Sequence, residues 1–363
     1  MHARSISSVQ PVEGMCGFET IDTIRFFAIC SIIWGHCGIE FDAQVFPDTF
    51  ERYLQSVILQ FGKFGTIFFF LISGFLIQPR LHTYNTVFFL KTRLRSTILP
   101  WAIFVILLCL LQMTVDLPLH NHLVQGHIKH ASAILIEIIK QVVMYYAYWF
   151  MLVFLFSALL LINLRRYVYS IWLGIALAVF AVFYAINLHT NWIDTHHAKA
   201  FMSYVFIMWT GLQLRAHYES FTAWLNRVSW TVLLTAYTFT FWVACVEGMA
   251  LVQKSSVDPY ASNRISNICN AFVAFACLYK WGKIEWVNKL QPRKTVYGMF
   301  LLHVVILFLM VIYGNKLIAR ILPQFTATGL LEIMLGEFCF TTITCYLLVY
   351  MFQRWRGRIT PLF

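Results

Sequence analysis

The amino-acid sequence predicts an all-α integral membrane protein: a ten-span helical bundle, both termini inside, with an interfacial amphipathic helix before the fourth span. Three observations predict it. The 363 residues are 60% hydrophobic and 12% charged, with mean hydropathy +0.70, whereas soluble domains are about a quarter charged. Apolar runs recur along the chain, and ten spans of about 20 residues, each crossing about 30 Å of hydrocarbon, would use roughly 200 residues. Finally, Lys and Arg are distributed unevenly between alternate loops.

The first run, Ile21 to Ile39, follows a polar segment and lacks the basic region and small-residue cleavage site of a signal peptide, so it is expected to stay in the chain. Further runs fall at Val57 to Gln78, Ile98 to Val115, Tyr146 to Leu164, Val168 to Asn187 and Phe201 to Leu214. Val228 to Val252, Ile265 to Lys280, Val296 to Tyr313 and Gly329 to Phe352 complete the ten. All should be helices, because an open sheet in lipid leaves backbone polar groups unpaired. Ile128 to Tyr146 carries Glu137 and Lys140 too close together for a lipid-facing span, and its amphipathic pattern places it in the outer interface. The domain layout is then residues 1–20 as a cytoplasmic segment, 21–353 as the membrane domain and 354–363 as a short tail.

With the N-terminus inside, eighteen of the 27 Lys and Arg, among them Arg25, Lys91, Arg93, Arg95, Arg293 and Lys294, fall on the cytoplasmic side. The other nine, including Arg52, Lys63, Lys254 and Arg264, fall outside, and this bias fixes N-in, C-in and an even number of spans. The net charge of +11 is therefore a matter of topology, and a nucleic-acid partner is excluded. Most of the nine Cys lie in apolar stretches without paired loop spacing, which supports neither a disulfide framework nor a metal site. His120, His122, His127 and His130 enrich one outer loop and His189, His196 and His197 another. No metal-ligand spacing accompanies them, so no metal is expected.

Ionisable groups inside spans cost about 2.5–3.5 kcal/mol each on insertion scales and mark the site candidates. Arg25 and His36 are eleven residues apart on the first span, on one helix face and about 16 Å apart along the axis. They form either a channel-facing stripe or two residues snorkelling to opposite interfaces. Lys91, Arg93 and Arg95 suit a phosphate-rich ligand, or serve as positive-inside anchors. Glu247, Glu332 and Glu337 lie at a depth similar to His36, with Asn267 and Asn270 nearby in sequence depth; the rival reading is structural hydrogen bonding between helices.

Taken together, Arg25-Phe-Phe-Ala-Ile and Trp34-Gly-His36 in the first span, Phe69-Phe-Leu-Ile-Ser-Gly-Phe-Leu-Ile77 in the second, the Arg-rich segment before Pro100, Tyr148-Trp-Phe opening the fourth and Val296-Tyr-Gly-Met-Phe-Leu-Leu-His303 opening the ninth form a recognisable set. This set resembles the acyltransferase 3 family of integral membrane acyltransferases, over residues of about 19 to 305. The resemblance implies a ten-span bundle that takes an acyl group, usually acetyl from acetyl-CoA on the cytoplasmic side, to a hydroxyl of a carbohydrate or glycolipid at the outer face, in a bacterial inner membrane. Some relatives carry a further extracytoplasmic domain. Here the sequence ends soon after the last apolar run, so transfer is expected to finish within the membrane domain or on a separate extracytoplasmic partner. One departure concerns the family's Arg-x-x-Arg: Arg93 fits its first position by its distance to Pro100, while Arg95 stands one residue too close to be the second.

The expected mechanism uses His36 as general base on the acceptor hydroxyl. Arg25, Arg93, Arg95 and Lys91 hold the donor phosphates or stabilise the oxyanion, with Glu337, Glu247 and His303 in support and Ser73 as a candidate acyl relay. Two other readings remain open at this stage. One is a transporter or flippase of an anionic lipid or solute, since ionisable residues suit a transport path equally well. The other is a membrane scaffold.

Overall fold

The computed structural model describes residues 15–38, 46, 48–121, 128–195, 197–254, 256–321 and 326–359. The loop histidines His122, His127 and His196, and residues 1–14 and 360–363 of the expected terminal segments, lie outside the described residues. The described chain is helical, without strands, and each predicted apolar run contains a helix.

Helix α1 (Met15–His36) is the central post. Ile21, Ile24, Ala28, Ile29 and Ile33 are fully buried on it, so lipid touches little of its length. The second run proves longer and broken: α2 (Thr49–Gln60) and α3 (Gly65–Ile77) are separated at residues 61–64. Asp48 caps α2 by accepting from the amides of Phe50 at 2.7 Å and Glu51 at 3.0 Å, so the helix begins in a polar stretch that hydropathy does not count. Ser31 of α1 fits the break: its hydroxyl donates to Gly62 O at 2.9 Å and accepts from Gly65 N at 2.8 Å.

Helix α4 (Thr86–Arg93) continues through a π-turn (Leu94–Ile98) into α5 (Leu99–Asn121). Pro100 explains the wide turn, because it brings no N–H and its ring collides with the carbonyl four residues back. Helix α6 (Ile128–Met144) bends into α7 (Trp149–Asn163) by 62°. The remaining helices are α8 (Ile171–Thr190), α9 (Phe201–Ala216), α10 (Tyr218–Arg227), α11 (Trp230–Gln253), α12 (Ile265–Trp281), α13 (Glu285–Lys289), α14 (Pro292–Ile321) and α15 (Ala327–Ile359).

By length and composition, six helical segments of the described chain suit a membrane crossing, and a seventh is added if the bent pair α6–α7 counts as one. Large apolar side chains point outward from α8 (Trp172, Val179, Ile186), α11 (Val232, Phe239, Trp242) and α15 (Phe340, Ile343, Met351). A contiguous apolar surface of this kind marks a lipid-facing wall in a protein of this composition. Helices α3 and α9 cross at two glycines: a Cβ on Gly74 would lie 1.9 Å from Met208 O, and one on Gly211 would lie 2.0 Å from Leu71 O. The Ser-Gly motif of the second run thus permits backbone-to-backbone packing.

Candidate active site

A cavity of about 430 Å³ lies between α1, α3, the π-turn, α7 and α14. Its basic lining is Arg25 from α1, Arg93 from α4, and Arg293 and Lys294 from the first turn of α14, with no carboxylate in the wall among the described residues. Asp22 pairs with Arg25 from outside that lining. Arg93 Nε is buried without a hydrogen-bond partner among the described residues, a donor that an anionic ligand would satisfy. Ser73, Ser96, Thr97 and Tyr297 add hydroxyls, and the rest of the wall is apolar, ending at Phe69, Phe150 and Phe300.

Beyond Phe300 stand two histidines. Its ring centroid is 5.6 Å from that of His303, which lies 5.5 Å from that of His36. His303 is fully buried. Its Nδ1 donates to Phe300 O at 2.6 Å, which leaves Nε2 of the neutral ring with a bare lone pair, and this atom is buried without a hydrogen-bond partner among the described residues. Helices α1 and α14 pack together and carry the same arrangement. Arg25 precedes His36 by eleven residues and Arg293 precedes His303 by ten, or about 16 Å and 15 Å of helix rise. A cationic end and a histidine end are thereby fixed at opposite ends of one seam.

The structure brings Arg25 and Arg93 together and leaves Lys91 and Arg95 exposed, away from the cavity wall. Two residues of helix turn the side chain through roughly 200°, so Arg93 and Arg95 face opposite ways. The position three beyond Arg93 is Ser96, which does line the cavity. Arg293 and Lys294, which in the sequence are two of the eighteen cytoplasmic-side charges, supply basic charge from another helix. Their signal was the Arg293 to His303 spacing of ten residues, one short of that between Arg25 and His36.

Glu337 Oε2 accepts from Gly38 N at 2.8 Å, two residues past His36. Glu247 is engaged elsewhere: it accepts from His189 Nε2 at 2.9 Å and from the Ser266 hydroxyl. Glu332 is exposed. Asn267 belongs to a buried network in which it accepts from Gln60 Nε2 at 2.8 Å and donates to Lys63 O at 3.0 Å, while the fully buried Arg264 donates to Gln60 and, at 2.7 Å, to Ala244 O. Asn270 donates to Thr240 at 3.2 Å. These groups tie α2, α11 and α12 together.

Compared with known protein families, residues 18–354 match the model of a family described as an acyltransferase domain. No curated protein and no solved structure matches the chain.

Proposed function

The chain belongs to the acyltransferase 3 family, and from that premise we propose that it moves an acyl group from acyl-CoA, bound at the cationic end of the seam, to a hydroxyl presented at the histidine end. The observation that carries this reading is the cavity itself: arginines, a lysine and hydroxyls line it together with apolar side chains, and the ring of one of these, Phe300, adjoins His303, which adjoins His36. Arg25, Arg93, Arg293 and Lys294 receive the phosphates of the donor. The pantetheine arm is an amide chain of roughly four residue equivalents and reaches about 15 Å when extended. That reach matches the helix rise between the arginines and the histidines, so the thioester arrives beneath His36 and His303 without a covalent relay through Ser73.

His36 takes the proton of the acceptor hydroxyl as the oxygen attacks the thioester carbonyl. The tetrahedral intermediate then collapses, the C–S bond breaks, and the CoA thiolate recovers the proton from the imidazolium. The products are an ester and free CoA. The bare Nε2 of His303 offers a second acceptor beside that proton path.

The excess of Lys and Arg puts the cationic end in the cytoplasm. Ten spans, N-in and C-in, follow if α1, α7, α9 and α12 cross beside the six segments. At 16 residues α9 rises only about 24 Å, and it is walled by α3, α7 and α8. Helix α6 then lies in the outer interface, with Ile138 and Val142 packed inward. The donor is acetyl-CoA or another acyl-CoA, the acceptor a carbohydrate or glycolipid, and the setting a bacterial inner membrane.

Donor binding tests the site. Arg93→Ala and Arg293→Ala are each expected to remove charged hydrogen bonds worth about 1.5–3 kcal/mol, weakening acetyl-CoA binding about 10- to 150-fold in nanodiscs. Unchanged affinity in both variants would overturn the assignment. Glu247→Gln, by contrast, is expected to lower thermal stability and leave the transfer rate per folded molecule unchanged. A rate loss as deep as that of His36→Ala would instead place Glu247 at the chemistry.

A further inference from the structure

The apolar end of the cavity is built from three phenylalanines on three helices. The Phe150 ring on α7 lies 5.9 Å from Phe69 on α3 and 5.3 Å from Phe300 on α14, with the Phe300 ring against His303. Phe150 joins the two side walls, and the corner that carries it is pinned from both sides. Tyr148 OH donates to Leu301 O at 2.8 Å, and Trp101 Nε1 donates to Tyr148 O at 3.3 Å. Both bonds tie the start of α7 to neighbouring helices two residues before Phe150 and so fix the backbone that carries the ring. The sequence motif Tyr148-Trp-Phe thus consists of an anchor followed by a plug.

Distances along the helices fix what meets this plug. From Arg293 to Phe300 the rise is about 10 Å, and from Phe300 to His303 about 4.5 Å. A pantetheine arm of about 15 Å carries its sulfur to the level of His303, whose ring centroid is 5.6 Å from that of Phe300, so the acyl group lies against the ring cluster. A two-carbon group has room beside close-packed aromatic rings, whereas each further methylene must displace one of them.

We infer that Phe150, bridging Phe69 and Phe300, is the specificity-determining residue that restricts the donor to a short acyl chain. The inference rests on the acyl-CoA reading above. It assigns Phe150 no part in proton transfer.

The test compares acetyl-CoA with hexanoyl-CoA as donors for wild type, Phe150→Leu and Phe150→Ala in nanodiscs, reading acceptor-dependent CoA release. Phe300→Leu serves as a variant of the opposite wall. Wild type is expected to favour acetyl. Phe150→Leu, which retains most of the packing volume, is expected to raise the hexanoyl to acetyl ratio by about tenfold or more, the discrimination an apolar pocket exerts over methylenes. Phe150→Ala should raise it further. Acetyl transfer that persists in the Phe150 and Phe300 variants with the ratio unchanged would overturn the inference and leave the acyltransferase reading standing. A wild type that uses hexanoyl-CoA as readily as acetyl-CoA would overturn it too. If wild type transfers from neither donor while remaining folded, the functional reading falls, and the inference falls with it.

Discussion

His36→Ala is expected to reduce acceptor-dependent acyl transfer by about 10²- to 10⁴-fold, the usual contribution of a positioned general base, while acyl-CoA binding stays at its wild-type strength. The separation of the two effects follows from the geometry. His36 sits eleven residues along α1 from Arg25, and the cavity that receives the donor ends at Phe69, Phe150 and Phe300 before reaching it. His36 is half-buried, so truncation leaves a gap at the end of α1 and no cavity in the core. CoA release and donor binding, measured on the same nanodisc preparation, check this. Transfer at a near-normal rate would remove His36 from the chemistry and leave His303, with its bare Nε2, as the remaining imidazole at that end of the seam.

The largest structural effect is expected at Gly74. A Cβ there would lie 1.9 Å from Met208 O and 2.9 Å from Leu212 N, and both obstacles are backbone atoms of α9 that no rotamer change can move. Overpacking a core costs typically about 1–3 kcal/mol when side chains can yield. Here the helices themselves must separate, and the reciprocal contact of Gly211 with Leu71 O would be lost in the same displacement. Gly74→Leu is therefore expected to abolish recovery of monodisperse protein from detergent extracts, whereas Ser73→Ala, one residue away, remains folded. Gly74→Leu protein with wild-type thermal stability would contradict this account of the α3–α9 crossing.

Much of the fold was legible because apolar runs in lipid have few alternatives to helix, and each of the ten predicted runs contains one. The break at residues 61–64 was not legible: Ile58 through Phe75 is apolar apart from Gln60, Lys63 and small residues, and what divides it is Ser31, from another helix. Hydropathy likewise missed the first two turns of α2, which rest on the Asp48 cap.

The site was legible where one helix carries both groups, as with Arg25 and His36, since helical period alone aligns them. Arg293 and Lys294 look like ordinary interior anchors until α14 is packed against α1. The partner of Glu247 was hidden for the same reason: depth in the membrane is readable from sequence, but azimuth around the bundle is set by packing, and packing gives Glu247 to His189 and Ser266. Arg264, counted as an outer loop charge, is fully buried because backbone carbonyls and Gln60 satisfy its guanidinium.

The central claim is that donor and acceptor meet from opposite ends of one seam. Proteoliposomes carrying protein of known orientation, with acetyl-CoA labelled in the acyl group supplied only at the cationic end and glycan acceptor only at the histidine end, test it most directly. The account predicts labelled ester in the acceptor compartment and free CoA in the donor compartment, both absent with His36→Ala. Movement of intact acyl-CoA or of unmodified acceptor across the membrane, without ester formation, would contradict it and make the protein a transporter.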